Sequence, residues 1–280
     1  MALLPGWALA MFLIWLPLQV IIDINFVLLC AGYLAAGVLL FFRPVQRVVL
    51  VRLVGARRPT RRERTIIDPV WAEVCQAMRV SPRRYVLAVL DADDINAFAC
   101  GGHLVVVTSF AVSVLPDDEL SGVLTHELCH HLGLHTVALT VRHWLGLPVT
   151  ILARVGLSFE HIAQAATNAF ARSSTGLTII GVVVSAALRI VAWTFLATIL
   201  LSNALSNLVG RGAEFEADRR TVQLGYGNEL ANALRRFLST EHHELPDSWR
   251  ARAFASHPPA RTRITRIEAQ LRGRRESRGR

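Results

Sequence analysis

Residues 6 to 42 are almost uninterrupted apolar sequence, broken at Asp23 and Asn25. A membrane span takes about 20 residues. The stretch therefore predicts two spans, near 6–22 and 26–42, with a turn between them. The first run has no basic leader and the second follows at once, which argues against a cleavable signal peptide. The pattern then changes abruptly: Arg43, Arg47, Arg52, Arg57, Arg58, Arg61, Arg62 and Arg64 fall within one short segment. Basic residues beside a span stay on the cytoplasmic side, so both ends of this hairpin are expected there. The arginine run is either solvated or laid against anionic headgroups.

Beyond it, periodicity switches between helix and strand. Residues 66–80 read as a helix with Val70, Val74, Ala77 and Met78 on its apolar face. Tyr85 to Leu90 reads as a strand and Asp91 to Asp94 as a turn. Asn96-Ala97-Phe98-Ala99 and His103 to Thr108, joined through Cys100-Gly101-Gly102, read as a hairpin. Its first strand is either plain core or an edge that binds an extended peptide. Pro116-Asp117-Asp118-Glu119 opens a helix whose Leu120, Val123, Leu124 and Leu128 bury one side. Residues 137–157 could span, although Arg142, His143, Pro148 and Arg154 weaken the case. Residues 158–175 read as a loop. Residues 176–209 are strongly apolar and longer than a bilayer requires, so this helix is expected to project beyond the membrane. Arg189 is the one charged residue there; it either marks a functional position or pairs and snorkels within the helix bundle. Residues 228–238 read as an amphipathic helix and 239–255 as a loop. A basic helix runs up to Leu271, and the last nine residues are expected to be disordered.

This predicts a mainly α integral membrane protein with about four transmembrane helices and a cytoplasmic α+β domain carrying a small sheet. Its segments are a hairpin at 1–42, a basic juxtamembrane segment at 43–65, a domain in two parts at 66–135 and 210–271, further membrane segments at 136–209 and a basic tail at 272–280. Composition agrees. Of the 280 residues, 52% are hydrophobic, yet the formal charge is +9, so apolar and basic stretches are segregated. Mean hydropathy is +0.40. All basic residues under Lys+Arg are arginine, as in a chain from a G+C-rich bacterial genome. No zinc-finger, RRM or helix-turn-helix pattern is present, so nucleic acid is not an expected partner. Cys30, Cys75, Cys100 and Cys129 form no C-x-x-C pair and are expected as free thiols.

The candidate chemistry lies in His126-Glu127-Leu128-Cys129-His130. Residues four apart share a helix face, so His126 and His130 can aim two ring nitrogens at one metal ion. Zinc suits nitrogen and oxygen ligands with one position left open for water. Glu127 is placed to act on that water rather than on the metal. An ordinary amphipathic helix with two surface histidines has the same spacing. Glu214 and Asp218 also share a face; Glu214 is a candidate third ligand and Asp218 a candidate acceptor for a histidine N–H. Such a pair carries little weight alone, because surface helices are full of them. The metzincin pattern is excluded, since it needs histidine at 136 and Thr136 stands there.

Four motifs in order resemble the membrane-embedded zinc metalloproteases that include bacterial HtpX and the CAAX prenyl endopeptidases of eukaryotes. They are Asn96-Ala97-Phe98-Ala99, the Glu119-Leu120 to His130 helix, Glu214-Phe215-Glu216-Ala217-Asp218-Arg219, and His257-Pro258-Pro259 with Arg263-Ile264. The resemblance implies a gluzincin-like domain with one zinc per chain, held by His126, His130 and Glu214, and Glu127 as general base. It implies that Asp218 supports the ligands, that His257 and Arg263 lie near the substrate and stabilise the oxyanion, and that Asn96, Ala97, Phe98 and Ala99 pair with the substrate. Cys129 stands where the family usually has glycine, serine or alanine, and reads as a small packing residue. The implied activity is endopeptidase action on polypeptides, membrane proteins above all, from the cytoplasmic side of a bacterial plasma membrane. A catalytically silent zinc-binding membrane protein and a metalloprotease-like sensor are the alternatives.

Overall fold

The computed structural model of the chain describes residues 3–133, 135–170, 175–240 and 259–278. Two compact units are each built from two stretches of sequence: Met1–Gly37 with Val141–Ser206, and Val38–Thr140 with Asn207–Arg280.

The first unit is helical. Helix α1 (Leu4–Ile22) stops at Asp23, which takes the left-handed conformation at φ 48°. Asn25 then accepts hydrogen bonds from the Val27 and Leu28 amides through its side chain, satisfying free donors at the start of α2 (Phe26–Leu39). The two residues that interrupt the apolar run are thus the ones that turn it. Helix α2 is shorter than the span expected over 26–42. At 1.5 Å per residue its 14 residues reach about 21 Å, short of the roughly 30 Å of a bilayer core. The chain bends by 80° before a second helical piece over Arg43–Leu53. Phe42 turns extended at the break and caps the second piece, and Pro44 lies in the first turn of that piece, where its missing N–H leaves no helical bond unmade.

Helix α8 (His135–Phe170) and helix α9 (Thr175–Leu224) pass from one unit to the other. Among the described residues, Leu4–Ile22, Thr136–Phe159 and Thr178–Leu201 are long and apolar enough to cross a membrane, and the bent pair makes up to four. The loop expected over 158–175 is instead helical as far as Phe170. Alanine and glutamine at 163–166 are strong helix formers that polarity alone hides. Ala10, Val149, Ala153 and Phe195 form the core of this unit. Tyr33 stacks on Trp144, ring centroids 4.7 Å apart, and the Trp144 indole N–H donates to the Tyr33 carbonyl at 3.1 Å. The outer surface is apolar, with Val20 at 87% exposure, as a lipid-facing surface requires.

The second unit holds a four-stranded sheet in the order β1-β2-β4-β3. The strands are β1 (Ala56–Arg57), β2 (Val86–Leu90), β3 (Ala97–Cys100) and β4 (Leu104–Thr108). β2 and β4 run parallel, and the other two pairings are antiparallel. The β3–β4 hairpin turns on Gly101 and Gly102, both at positive φ, a conformation that suits glycine. Side chains alternate along β4. Val105 and Val107 join a core with α5 (Arg61–Ala77), α6 (Ser109–Val114) and α7 (Asp117–Leu132). Leu104 and Val106 point the other way, against Leu50, Val51 and Val54. The basic juxtamembrane segment is therefore half core: Gln46, Leu50, Val51 and Val54 face the sheet, while Arg47 and Arg52 face solvent. The fully buried Gln46 amide donates to the Leu40 and Gly101 carbonyls at 2.9 and 2.6 Å. Thr60 and Glu63 cap α5 reciprocally.

Helix α10 (Gly227–Thr240) packs on α7 and on α11 (Ala260–Arg278). Helix α11 runs on to Arg278, so most of the tail expected to be disordered is helical; the Arg274 guanidinium reaches the Val222 carbonyl there. Glu119 and Arg236 join α7 to α10 through two hydrogen bonds, at 2.6 and 2.8 Å. Gly122 sets how closely these helices approach, since a Cβ there would lie 2.7 Å from the Glu229 carbonyl carbon. Gly122→Ala should gain about 1 kcal/mol of helix propensity but lose more to the backbone overlap. The expected net loss is about 1–2 kcal/mol, read as a lower Tm in thermal unfolding; an unchanged or raised Tm would show that α10 yields freely.

Candidate metal centre

Helix α7 carries Asp117, Asp118 and Glu119 in its first turn, where they complement the helix dipole. Leu120, Leu124 and Leu128 are completely buried on one face, and that face rests on α5 and the sheet. His126 and His130 leave the helix on another side and meet α9, which presents Glu214 and Asp218 one turn apart. Arg263 comes from α11. All five side chains are buried.

The donor atoms converge. His126 Nε2 and His130 Nε2 are 3.1 Å apart, His130 Nε2 lies 3.1 Å from Glu214 Oε1, and His126 Nε2 lies 3.5 Å from Glu214 Oε2. Ligands about 2.0–2.1 Å from a tetrahedral zinc stand roughly 3.3 Å from one another. The two histidine nitrogens stand close to that spacing from each other and each from one oxygen of the Glu214 carboxylate, and one ligand atom from each residue lies within 4.8 Å of the others. Charge gives a second test of fit. With Glu127, Glu214, Asp218 and Arg263 all ionised, three buried carboxylates face one buried guanidinium, leaving a formal charge of −2 that a divalent cation balances.

Protonation follows the same logic. Burial and the charge on Arg263 push the His126 imidazolium down, but Asp218 and Glu214 outweigh them and hold its pKa up, at about 9. Burial pushes Asp218 up, but His126 and Arg263 prevail and bring its pKa to about 2. Asp218 Oδ1 lies 3.0 Å from His126 Nδ1. A proton on Nδ1 donated to that carboxylate leaves Nε2 as the lone-pair donor toward a metal, the usual supporting arrangement for a ligating histidine.

Arg263 sits deeper in this network than an oxyanion donor would. Its Nε donates to Asp218 Oδ2 at 3.0 Å and its Nη2 to Asp218 Oδ1 at 2.7 Å, a two-pronged pairing suited to a guanidinium. Its Nη1 is 3.8 Å from Glu214, and its Nη2 is 3.2 Å from His126 Nε2. The geometry makes it a clamp on Asp218. Glu127 is buried beside the ligands, and among the described residues no hydrogen bond to its carboxylate is formed. Asn96 immediately precedes β3; Ala97, Phe98 and Ala99 lie in this edge strand, which packs against α7. His257 lies outside the described residues.

Other side chains brace the centre. His131 is buried, and its Nε2–H donates to the Leu104 carbonyl at 3.1 Å while Nδ1 accepts from Thr136, tying α7 to β4. Burial lowers its pKa to about 4, so it stays neutral. Cys129 is buried beside Thr221, where burial pushes its thiol up to about 11. It lies on a cavity of about 140 Å³ with His130, Gly133, Ala213 and Ala217. Glu216 and Arg220 line the same cavity, where Glu216 pairs with Arg219 and Arg220. The four cysteines are free.

Residues 61–271 match the family model described as Peptidase family M48. A protease HtpX homolog of Salinibacter ruber is 28% identical over 79% of this chain and 79% of its own length. HtpX of Escherichia coli is 25% identical over 72% of each chain. A protease HtpX homolog of Nitrosomonas eutropha is 30% identical over 65% of this chain and 64% of its own. Among solved structures, the crystal structure of S. mikatae Ste24p superposes with a TM-score of 0.50 at 17% identity, covering 92% of this chain and 61% of that one, a likeness of fold.

Removal of a ligand should differ from removal of a support. His130→Ala and Glu214→Ala are expected to abolish tight metal retention, whereas Asp218→Asn should weaken it by about 10–100-fold. Competition with a chromogenic chelator measures both; full retention by either ligand variant would break the assignment.

Proposed function

The chain belongs to peptidase family M48, and we propose that it is a membrane-bound zinc endopeptidase whose metal is held by His126, His130 and Glu214. The observation that carries this reading is the meeting of three buried donor atoms beside Glu127, an acid next to a ligand but not itself one of the three. His126, His130 and Glu214 would hold a zinc ion there, and its chemistry when bound would be that of a Lewis acid that lowers the pKa of water to near neutral.

The protein's own groups would do the rest. Glu127 takes a proton from the attacking water and returns it to the nitrogen of the leaving amine, as general base and then general acid. Asp218 holds the Nδ1 proton of His126, and Arg263 holds Asp218. The β3 edge, with Asn96, Ala97, Phe98 and Ala99, would take the substrate as an added extended strand. His257 would complete the oxyanion contacts, as the family motif suggests.

Several apolar helices make a membrane location the natural setting for the chain. We place the metal centre on the cytoplasmic side from the arginines at 43–64. Membrane proteins are the substrates this location favours, in a quality-control role like that suggested by the resemblance to HtpX. A reporter fused after Arg280 should be active in the cytoplasm; activity only outside it would reverse the orientation.

The mechanistic test separates chemistry from metal binding. Glu127→Gln should keep its metal and lose at least about 10²–10⁴-fold in peptide cleavage, the range of general acid–base catalysis. Zinc content and casein cleavage are measured on the same preparation. Cleavage at the wild-type rate by Glu127→Gln would end the endopeptidase reading.

A further inference from the structure

Arg189 has no part in the chemistry proposed above. It stands on α9 inside the apolar window Thr178–Leu201, and an ionisable residue within a span is a candidate functional position by default. Arg189 lines a cavity of about 240 Å³ together with Gln164, Thr167, Asn168, Val182 and Ser185. Gln164, Thr167 and Asn168 share one face of α8, and Ser185 and Arg189 share one face of α9. A polar face of α8 therefore confronts Ser185 and Arg189 on α9, beside Val182 and Ala186 of the same lining. Arg189 is the one ionisable group among these lining residues; the other polar ones offer amides and hydroxyls. Ser185 is 7% exposed, and its Oγ has no hydrogen-bond partner among the described residues. A buried hydroxyl in that condition is costly unless something bonds to it.

The level of this cavity along the helices narrows the choice of ligand. A Cβ on Gly156 would meet Ala192, and one on Gly181 would meet Thr167, which sets the register of two antiparallel helices. The apolar window of α8 ends at Phe159, before Gln164, while that of α9 continues past the same level to Thr178. The cavity thus has a polar wall from one helix and an otherwise apolar wall from the other, as at the boundary between headgroups and acyl chains. Ile179, Ile180 and Val183 are exposed on α9 nearby and offer a surface for a hydrocarbon chain.

We propose that the α8–α9 cavity binds the phosphodiester of a phospholipid headgroup, with Arg189 as its charged anchor and Ser185 among its neutral hydrogen-bond donors. A guanidinium fork matches phosphate oxygens in geometry as well as charge.

Native mass spectrometry of the full chain in detergent micelles tests this, with three probes: phosphatidylglycerol, a diacylglycerol of the same acyl chains, and inorganic phosphate. One phosphatidylglycerol per chain should be held more tightly than the diacylglycerol. Arg189→Gln should weaken that binding by about 10–100-fold, and Ser185→Ala by roughly 3–10-fold. Arg154→Gln, on α8 but outside the cavity lining, should leave it unchanged. Equal retention of phosphatidylglycerol and diacylglycerol would overturn headgroup recognition. Displacement of the lipid by millimolar inorganic phosphate would assign the site to a free anion and overturn the lipid. Unaltered binding by Arg189→Gln would remove the anchor. Should circular dichroism show that variant unfolded, Ser185→Ala decides, and full retention there would overturn the proposal.

Discussion

Burial of unbalanced charge is the constraint on which the second unit turns. Glu127, Glu214 and Asp218 lie inside the protein with one guanidinium among them. Removing each ion from water costs several kcal/mol even after relaxation. Arg263 offsets Asp218 through a two-pronged pair, yet the remaining carboxylates still demand positive charge, and the raised pKa of His126 expresses that demand. A metal satisfies it better than a proton, because it engages three donors at once. Stability of the unit and occupancy of its centre are therefore thermodynamically linked.

The sheet answers a different problem, that of holding α7 steady. β4 is buried along its length because α5 and α7 cover one face and the juxtamembrane segment covers the other. Gln46 extends this from packing to hydrogen bonding by gripping the Gly101 carbonyl at the hairpin tip. Thr140, at the start of the apolar part of α8, accepts from the Gly101 amide at 2.9 Å. The hairpin that ends in the edge strand β3 is thus held at its tip by two segments that adjoin membrane helices.

What could be read from the sequence follows from how local each cause is. The spacing of His126 and His130 is a property of one helix turn, so their convergence was legible, as was the α1–α2 turn at Asp23 and Asn25. Glu214 and Asp218 gained meaning only through family resemblance, because acids four apart look alike on any helix. The clamp role of Arg263 was hidden, since it depends on a contact with a residue on another helix. Charge concealed the apolar stripe Leu50, Val51 and Val54 among arginines, and polarity concealed the helix beyond Phe159. The capping box of Thr60 and Glu63 is written locally as T-x-x-E, but it lies among arginines that give the segment a solvated character.

The second unit is interrupted in sequence by the third and fourth membrane segments, since its two parts are Val38–Thr140 and Asn207–Arg280. His126 and His130 therefore leave the ribosome well before Glu214, with the α8–α9 hairpin made in between. Until that hairpin has been made, the nascent chain carries His126, Glu127 and His130 without Glu214. Biosynthesis of the centre is thereby coupled to biogenesis of the membrane helices: a chain stalled or mis-inserted partway has a protease domain that is incomplete by construction, and hydrolytic competence arrives only with the return of the polypeptide from the bilayer.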